Sequence, residues 1–187
     1  MSHLFGIDGI KEKIMILSSL SMSGKEFCGR YAMGSDEHHK VYDLATYTKT
    51  TKHIVSSYMI DISVKLRSVV DSLRSLGMEV SLDEDVKVYN SGSCADGNSK
   101  EKDFRFICNK IIHAESFNLD FVGNKKYHTD MVWWSGEVTV SGVYQNKKWE
   151  FFFSVLDWCD SIVEFLDESE TQIANMQGES RDIQGHS

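Results

Sequence analysis

Three polar residues, Arg105, Asn109 and His113, follow one another at four-residue steps in this chain. An imidazole exchanges a proton near neutral pH, a guanidinium stabilises negative charge, and an amide orients a neighbouring group through hydrogen bonds. Acid–base chemistry on an anionic substrate requires groups of these types. The spacing therefore raises the question of whether this segment holds an active site.

The segment that carries these residues has the pattern of an amphipathic helix. At about 100° per residue, residues 105, 109 and 113 form a polar stripe on one side. A different face carries the apolar side chains Phe104, Ile107, Cys108 and Ile111. We expect a helix over residues 101–115 whose apolar face packs in the core and whose polar stripe does not.

The stretch FRFICNKIIHA resembles the signature helix of the HEPN superfamily. The members of that family are small all-helical domains, and many are metal-independent ribonucleases of toxin and antiphage systems. The family motif is an arginine, a polar residue that is often asparagine, a short spacer and a histidine. Asn109 and His113 match its last two positions. Cys108 stands where the family has its arginine, and Arg105 is the nearest substitute.

The resemblance implies a ribonuclease mechanism for these residues. His113 would act as general base on a ribose 2′-hydroxyl, Asn109 would orient the base or the phosphate, and Arg105 would stabilise the pentavalent phosphate. The Cα atoms of Arg105 and His113 would lie about 12 Å apart along the helix axis. Two facing copies of the helix, in a homodimer, would bring an Arg105 towards a His113.

A structural role is the alternative for the same polar residues. His113 would then be a helix residue that is hydrogen-bonded to a neighbour, and Asn109 would be its partner or a surface residue. The missing arginine at Cys108 favours a role other than catalysis.

A second group of candidate residues combines aromatic rings with lysines, mostly in the back half of the chain. Aromatic side chains beside lysines can stack bases and hold phosphates, and exposed aromatic residues are typical anchors for protein partners. Aromatic strands are also ordinary core, and lysines are ordinary in turns. The predicted partner-binding or nucleic-acid-binding residues are Lys110, Lys125, Lys126, Trp133, Trp134, Lys147, Lys148 and Trp149.

Two further helices are expected to position the polar segment. Residues 7–20 repeat isoleucine and leucine at three- and four-residue steps. Residues 53–76 carry a continuous apolar stripe that ends before Gly77, a typical C-terminal cap. The Gly- and Ser-rich residues 21–35 are predicted to be a connection, and residues 77–103 a loop.

The apolar pattern changes to a two-residue period after the polar segment. Alternation at residues 117–121 and 138–142, with two β-rich runs around Gln145, Asn146 and Lys147, predicts an antiparallel sheet of three or four strands with a hairpin. Residues 155–166 return to helical spacing. We expect an α+β fold, with a helical N-terminal half packed with a small antiparallel sheet and a closing C-terminal helix.

Length and composition predict how this fold is organised. The chain has 187 residues, enough for one ordinary core. We expect residues 1–168 to form a single α+β domain. Residues 169–187 are polar with isolated apolar positions, and they are predicted to be a disordered tail.

Composition also limits the classes of function. The net charge of −8 argues against a broad nucleic-acid grip, although a small local site is compatible with it. The four cysteines lie far apart without a Cys-x-x-Cys pair, which indicates reduced thiols in a cytoplasm. No signal-peptide or membrane-span pattern occurs, and no common nucleotide, protease or hydrolase motif. We expect a cytoplasmic protein with no metal and no cofactor.

Two functional hypotheses follow. We favour a non-catalytic partner-binding protein of a bacterial or phage conflict system, of the inhibitor, antitoxin or immunity type, on a HEPN-like scaffold. Small acidic proteins suit basic or nucleic-acid-binding partners electrostatically. The alternative is a metal-independent HEPN-like endoribonuclease that uses His113 with Asn109 and Arg105. We expect a protein partner, RNA as the alternative ligand, no membrane association, and a homodimer if the catalytic arrangement holds.

Overall fold

The computed structural model describes residues 7–30, 43–75, 77, 104–123 and 132–184. These residues form an α+β fold, as the sequence pattern predicted. The elements in chain order are α1 (Ile7–Arg30), α2 (Leu44–Ser75), α3 (Phe104–Ile112), β1 (Ser116–Gly123), β2 (Val132–Tyr144), β3 (Lys147–Ser154) and α4 (Val155–Gln184).

Helix α1 is longer than its apolar repeat predicted. We expected residues 21–35 to be a connection, and this is wrong for residues 21–30, which continue the helix. The buried stripe continues there through small residues, Gly24 and Cys28. A Cβ added at Gly24 would lie 3.1 Å from the main-chain oxygen of Trp134, so this glycine lets α1 lie directly on the sheet.

Helix α2 is the long core helix that the apolar stripe predicted, but it begins earlier, at Leu44 rather than at His53. Asp43 caps its N-terminus, where the main-chain N–H of Thr46 donates to Asp43 Oδ1 at 2.7 Å.

The predicted C-terminal cap of α2 is confirmed. Gly77 has a φ of +78°, and its N–H donates to the carbonyl oxygen of Arg74 at 3.0 Å.

The sheet is an antiparallel meander in the order β1-β2-β3. Strand β2 pairs with both neighbours, and β2 and β3 are joined by the predicted hairpin. Its two turn residues, Gln145 and Asn146, have φ values of +49° and +63°, which is the geometry of a tight type I′ turn. Trp149, Phe151 and Phe153 alternate along β3 and are all buried, so they share one face of the strand.

The core lies between this face and the helices. Its aliphatic members include buried residues of α1 and α2, and its aromatic members come mainly from β2, β3 and α4. Helix α1 approaches β2 closely at Gly136, where an added Cβ would clash with the Ser21 side chain. Burial of these apolar side chains is the main force that holds α1 and α2 to the sheet.

Helix α4 corrects the prediction for the C-terminus. We expected a disordered tail over residues 169–187, but α4 continues to Gln184. Ser169 is buried, its hydroxyl donates to the carbonyl oxygen of Phe165 at 2.7 Å, and Ile173 packs against the core. Because a serine interrupts the apolar stripe, the hydrophobicity pattern did not predict this contact.

Some predictions fall on residues that the structure does not describe. They are the loop at 78–103, the end of the predicted connection at 31–35, and Lys125 and Lys126. Among the helices that are described, none is long and apolar enough to cross a membrane.

Candidate functional site

Helix α3 is the short amphipathic helix on which the candidate site was predicted. Ile107, Cys108 and Ile111 are buried in the core, while Asn109 is half-buried and His113 is exposed. The helix ends against the sheet, where the N–H of Glu115 donates to the carbonyl oxygen of Ser141 at 2.9 Å. The polar stripe is therefore held in place by the packing of the opposite face.

Asn109 is engaged by an arginine of α2. Arg67 Nη1 donates to Asn109 Oδ1 at 3.0 Å, in a partly buried contact. The Asn109 side-chain amide keeps two N–H donors for another group. The structure thus places a guanidinium beside the predicted site, although it comes from another helix.

Among the described residues, no carboxylate pairs with Arg67 at this contact. None of the ion pairs formed among residues 7–30, 43–75, 104–123 and 132–175 includes Arg67. A partly buried cation is usually paired, because removing a charge from water is costly. Sequence analysis missed this residue. The available signal was an arginine directly after Leu66, beside the apolar stripe of α2.

His113 lies one turn beyond Asn109, as the spacing predicted. Its main-chain N–H donates to the carbonyl oxygen of Asn109 at 3.0 Å, which continues the helical pattern. Its own carbonyl oxygen faces β2, since a Cβ added at Gly142 would lie 3.3 Å from it. The exposed imidazole is accessible to a ligand that approaches α3 from solvent.

The family resemblance gave two positions for the motif arginine, residues 108 and 105, and the structure places them differently. Cys108, which stands in the family's arginine position, is fully buried, so that position lies inside the core. Arg105 lies in the first turn of α3, and its side chain is outside the described part of the structure. Arg105 and Asn109 therefore lie on α3 and His113 directly follows it, but only Asn109 and His113 have described side chains.

Lys110 lies over aromatic rings of the β2–β3 hairpin. Its Nζ is 4.5 Å from the ring centroid of Trp149 and 5.6 Å from that of Tyr144. These are cation–π distances. Trp149 is buried and packs across Gly142, its partner on β2, so the predicted binding residues Lys110 and Trp149 first serve to hold α3 to the hairpin.

The tryptophans of β2 are less available than the sequence suggested. Trp134 is buried, and its indole N–H donates to the carbonyl oxygen of Glu137 at 2.7 Å. Trp133 is half-buried, with Lys25 Nζ 5.8 Å from its ring centroid. Trp134 therefore has no surface to offer a partner, which is the ordinary core role that aromatic strands usually have.

The end of the β2–β3 hairpin is exposed and combines apolar and basic side chains. Val143 is 46% exposed and Tyr144 64% exposed, and Lys147 and Lys148 are exposed across the turn. We call these four residues the hairpin surface. Val143 pairs with Lys148 and Tyr144 with Lys147 in the ladder, so the hairpin surface is held by main-chain hydrogen bonds.

The described cysteines are buried thiols. Cys28, Cys108 and Cys159 are all free, and burial raises the pKa of Cys28 and raises that of Cys159 to about 12. A raised pKa keeps a thiol protonated and unreactive. Among the described residues, no group of His, Cys, Asp and Glu side chains is arranged to hold a metal ion.

Comparison of the chain with protein-family models, curated proteins and solved structures finds no match. The HEPN resemblance therefore rests on the short stretch of α3 and its Asn109 and His113, and it stays a prediction.

Proposed function

We propose that this chain is a non-catalytic protein that binds another protein through the hairpin surface. The observation that carries the proposal is the exposure of Tyr144 and Val143 at the end of a tight, well-paired hairpin. Exposed tyrosines on rigid elements are typical anchors of protein interfaces, because they bury a large area at little cost in conformational entropy.

The local charge of the hairpin surface indicates the chemistry of the partner. Lys147 and Lys148 make this end positive although the chain as a whole carries −8. Complementary potentials favour association. The part of the partner that meets the hairpin is therefore expected to be acidic around an apolar centre, rather than basic as the net charge alone suggested.

The state of α3 supports a binding role. The family's arginine position is a buried cysteine, and the lysine that follows Asn109 lies over the rings of the hairpin. In this arrangement α3 supports the hairpin from one side. The resemblance to HEPN proteins suggests the setting, an inhibitor, antitoxin or immunity protein of a bacterial or phage conflict system in the cytoplasm.

Site-specific photo-crosslinking tests this proposal. A photoreactive amino acid replaces Tyr144 in one variant and Met22 in another, since these side chains are 64% and 63% exposed and lie on different elements. We expect a discrete protein adduct from position 144 in cells, and none from position 22. The partner identified in the adduct should then bind purified Tyr144→Ala at least about tenfold more weakly than wild type.

Two results would contradict the binding role of the hairpin surface. One is the same set of adducts from positions 144 and 22. The other is unchanged affinity of the identified partner for Tyr144→Ala. Circular dichroism of each variant checks that the fold is retained.

A second candidate function is the metal-independent ribonuclease, and the hydrogen bond from Arg67 to Asn109 favours it. In this mechanism His113 is the general base on a ribose 2′-hydroxyl, and the free N–H donors of Asn109 bind the phosphate. Arg67, rather than Arg105, stabilises the negative charge of the transition state. A guanidinium at this site no longer requires the cysteine position or a second copy of the chain.

RNA cleavage in EDTA separates this candidate from the first. If it holds, wild type cleaves, His113→Ala loses a factor of about 10²–10⁴ in rate, and Arg67→Ala loses about 10²-fold. Arg74→Ala, on the same helix, is the matched control and keeps the wild-type rate. Cleavage that survives His113→Ala removes the candidate. Loss in Arg105→Ala but not in Arg67→Ala would favour the homodimer arrangement instead.

A further inference from the structure

A pocket of about 240 Å³ lies between α1 and the first turns of α2. Its apolar wall includes Leu20 and Phe27 from α1 and Tyr47 and Ile54 from α2. None of the residues of α3 or the hairpin surface lines it. The pocket is therefore separate from both candidate functions described above.

The pocket has a defined structural origin. Gly24 faces it from α1, and this residue has no side chain to fill the space. Its missing Cβ also leaves room for Tyr47, whose hydroxyl oxygen would lie 3.3 Å from a Cβ at this position. The first turns of α2 contribute short threonine side chains, Thr46 and Thr50, instead of large ones.

The aromatic wall of the pocket is held in place. The main-chain N–H of Trp134 donates to the Tyr47 hydroxyl at 3.2 Å, and the Phe27 ring stacks on Tyr47 with centroids 6.1 Å apart. Burial raises the pKa of Tyr47 to about 12, so the phenol stays neutral at physiological pH. Phe27 is 37% exposed, which leaves part of its ring for a ligand.

The rim of the pocket is formed, among the described residues, by polar hydroxyl side chains. The Ser23 hydroxyl donates to the carbonyl oxygen of Ser19 at 2.6 Å, and the Thr46 hydroxyl donates to Asp43 Oδ2 at 3.0 Å. Because these hydroxyl protons are used, the oxygen lone pairs can still accept from a ligand. Within the part of the chain that the structure describes, no Lys, Arg, His, Asp or Glu side chain lines the pocket, so a charged ligand would lose hydration without gaining a counter-ion from these residues.

Size, aromatic wall and polar rim together define a ligand class. An apolar cavity of about 150 Å³ is known to hold benzene, and this pocket is larger, with room for two fused rings. We propose that the α1–α2 pocket binds a small uncharged aromatic molecule that carries one hydrogen-bond donor, of the size and type of indole. The ring stacks against Phe27 and Tyr47, and its N–H or O–H points to the hydroxyls of the rim.

Fluorine NMR with 5-fluoroindole as the probe tests this site on the full chain. We expect saturable binding to wild type with a Kd on the order of 100 µM, as the ligand efficiency of a small fragment allows. Thr50→Phe fills the pocket and should weaken binding at least about tenfold. Lys49→Phe is the matched control, because Lys49 directly precedes Thr50 and does not line the pocket. This variant should bind like wild type.

A second variant and a second ligand test the proposal if Thr50→Phe does not fold. Phe27→Ala removes the exposed half of the aromatic wall and should also weaken binding. Indole-3-acetate, which carries a negative charge, should bind wild type at least about tenfold more weakly than 5-fluoroindole. The proposal is overturned if 1 mM protein does not broaden the probe signal, if Thr50→Phe or Phe27→Ala binds like wild type, or if the anion binds equally well.

Discussion

Helix α2 packs against both α1 and α3, and its charged side chains have different kinds of partner at the two contacts. At α1, the Asp61 carboxylate accepts hydrogen bonds from Lys13 and, at 2.9 Å, from Lys65 of α2 itself. At α3, the Arg67 guanidinium meets the neutral amide of Asn109. At the α1 contact, both lysines are paired with a carboxylate. The α3 contact keeps a positive charge that no carboxylate of the described residues neutralises.

This difference bears on the ribonuclease candidate, in which the α3 contact would bind the phosphate. Ion pairs such as Lys11 with Asp167 and Lys13 with Asp61 tie α1 to α4 and α2 at partly exposed positions. Such pairs contribute little each, so the fold does not depend on them. The Arg67 contact costs desolvation, and no carboxylate of the described residues offsets this cost.

The largest effect is expected from placing the family's arginine in this chain. Cys108→Arg puts an uncompensated charge at a fully buried position, and we expect a loss of about 3–5 kcal/mol in the free energy of unfolding. Urea denaturation followed by circular dichroism measures it. Cys108→Ala is the control, with an expected loss of about 1 kcal/mol.

A small loss in Cys108→Arg would break the comparison. It would mean that α3 can turn its cysteine position out of the core, and that the α3 contact is adaptable rather than fixed by Ile107 and Ile111. The HEPN-like arrangement with a guanidinium on α3 itself would then be accessible.

An intermediate effect is expected at the Arg67–Asn109 contact. In a double-mutant cycle of Arg67→Ala and Asn109→Ala, we expect a coupling free energy of about 1 kcal/mol, because one charge-assisted hydrogen bond is lost in either single variant. The same cycle with Arg74→Ala in place of Arg67→Ala provides the control. A coupling energy no larger than in the control cycle would show that the contact at 3.0 Å does not persist in solution.

The smallest effect is expected at the α1 contact. Partial burial acts to raise the pKa of the Asp61 carboxyl, but hydrogen bonds from Lys13 and Lys65 outweigh it and lower the pKa below its ordinary value. A lowered folded-state pKa stabilises the fold above the unfolded-state pKa of about 3.9, and this contribution disappears as the pH falls through the folded-state value. The free energy of unfolding of wild type should exceed that of Asp61→Asn by less than about 1 kcal/mol at pH 7.

Urea denaturation of wild type and Asp61→Asn over pH 7 to pH 2 measures this contribution. The difference in the free energy of unfolding should shrink below about pH 4, and 1 M NaCl at pH 7 should reduce it as well. A difference that is independent of pH would assign the effect to packing instead of charge.

The helices and the hairpin were predictable where local patterns are strong. The apolar stripe of α2, its cap at Gly77 and the tight turn at Gln145 and Asn146 depend on periodicity and turn chemistry within a few residues. The second half of α1 and the end of α4 were missed. A local pattern does not favour a small or polar residue such as Gly24 or Ser169 at a buried helix position. These residues become favourable only because the sheet or the neighbouring helices approach them.

The candidate site was predictable in its local part and not in its long-range part. The helical pattern alone placed Asn109 and His113 on one stripe of α3, away from the apolar face. It did not reveal that Trp134 is in the core, because an aromatic residue on a strand has the same local pattern on a surface and in an interior. It did not reveal the exposed Tyr144 either, since exposure depends on which elements cover the sheet.

The sequence by itself determined which residues share a helix face and where the chain turns, since these follow from backbone geometry over a few residues. Only the tertiary structure decided that Arg67, 42 residues before Asn109 in the chain, supplies the guanidinium at α3, and that α1 and α2 enclose a pocket. No local rule determines either feature, because both result from how apolar faces far apart in the chain pack into one core.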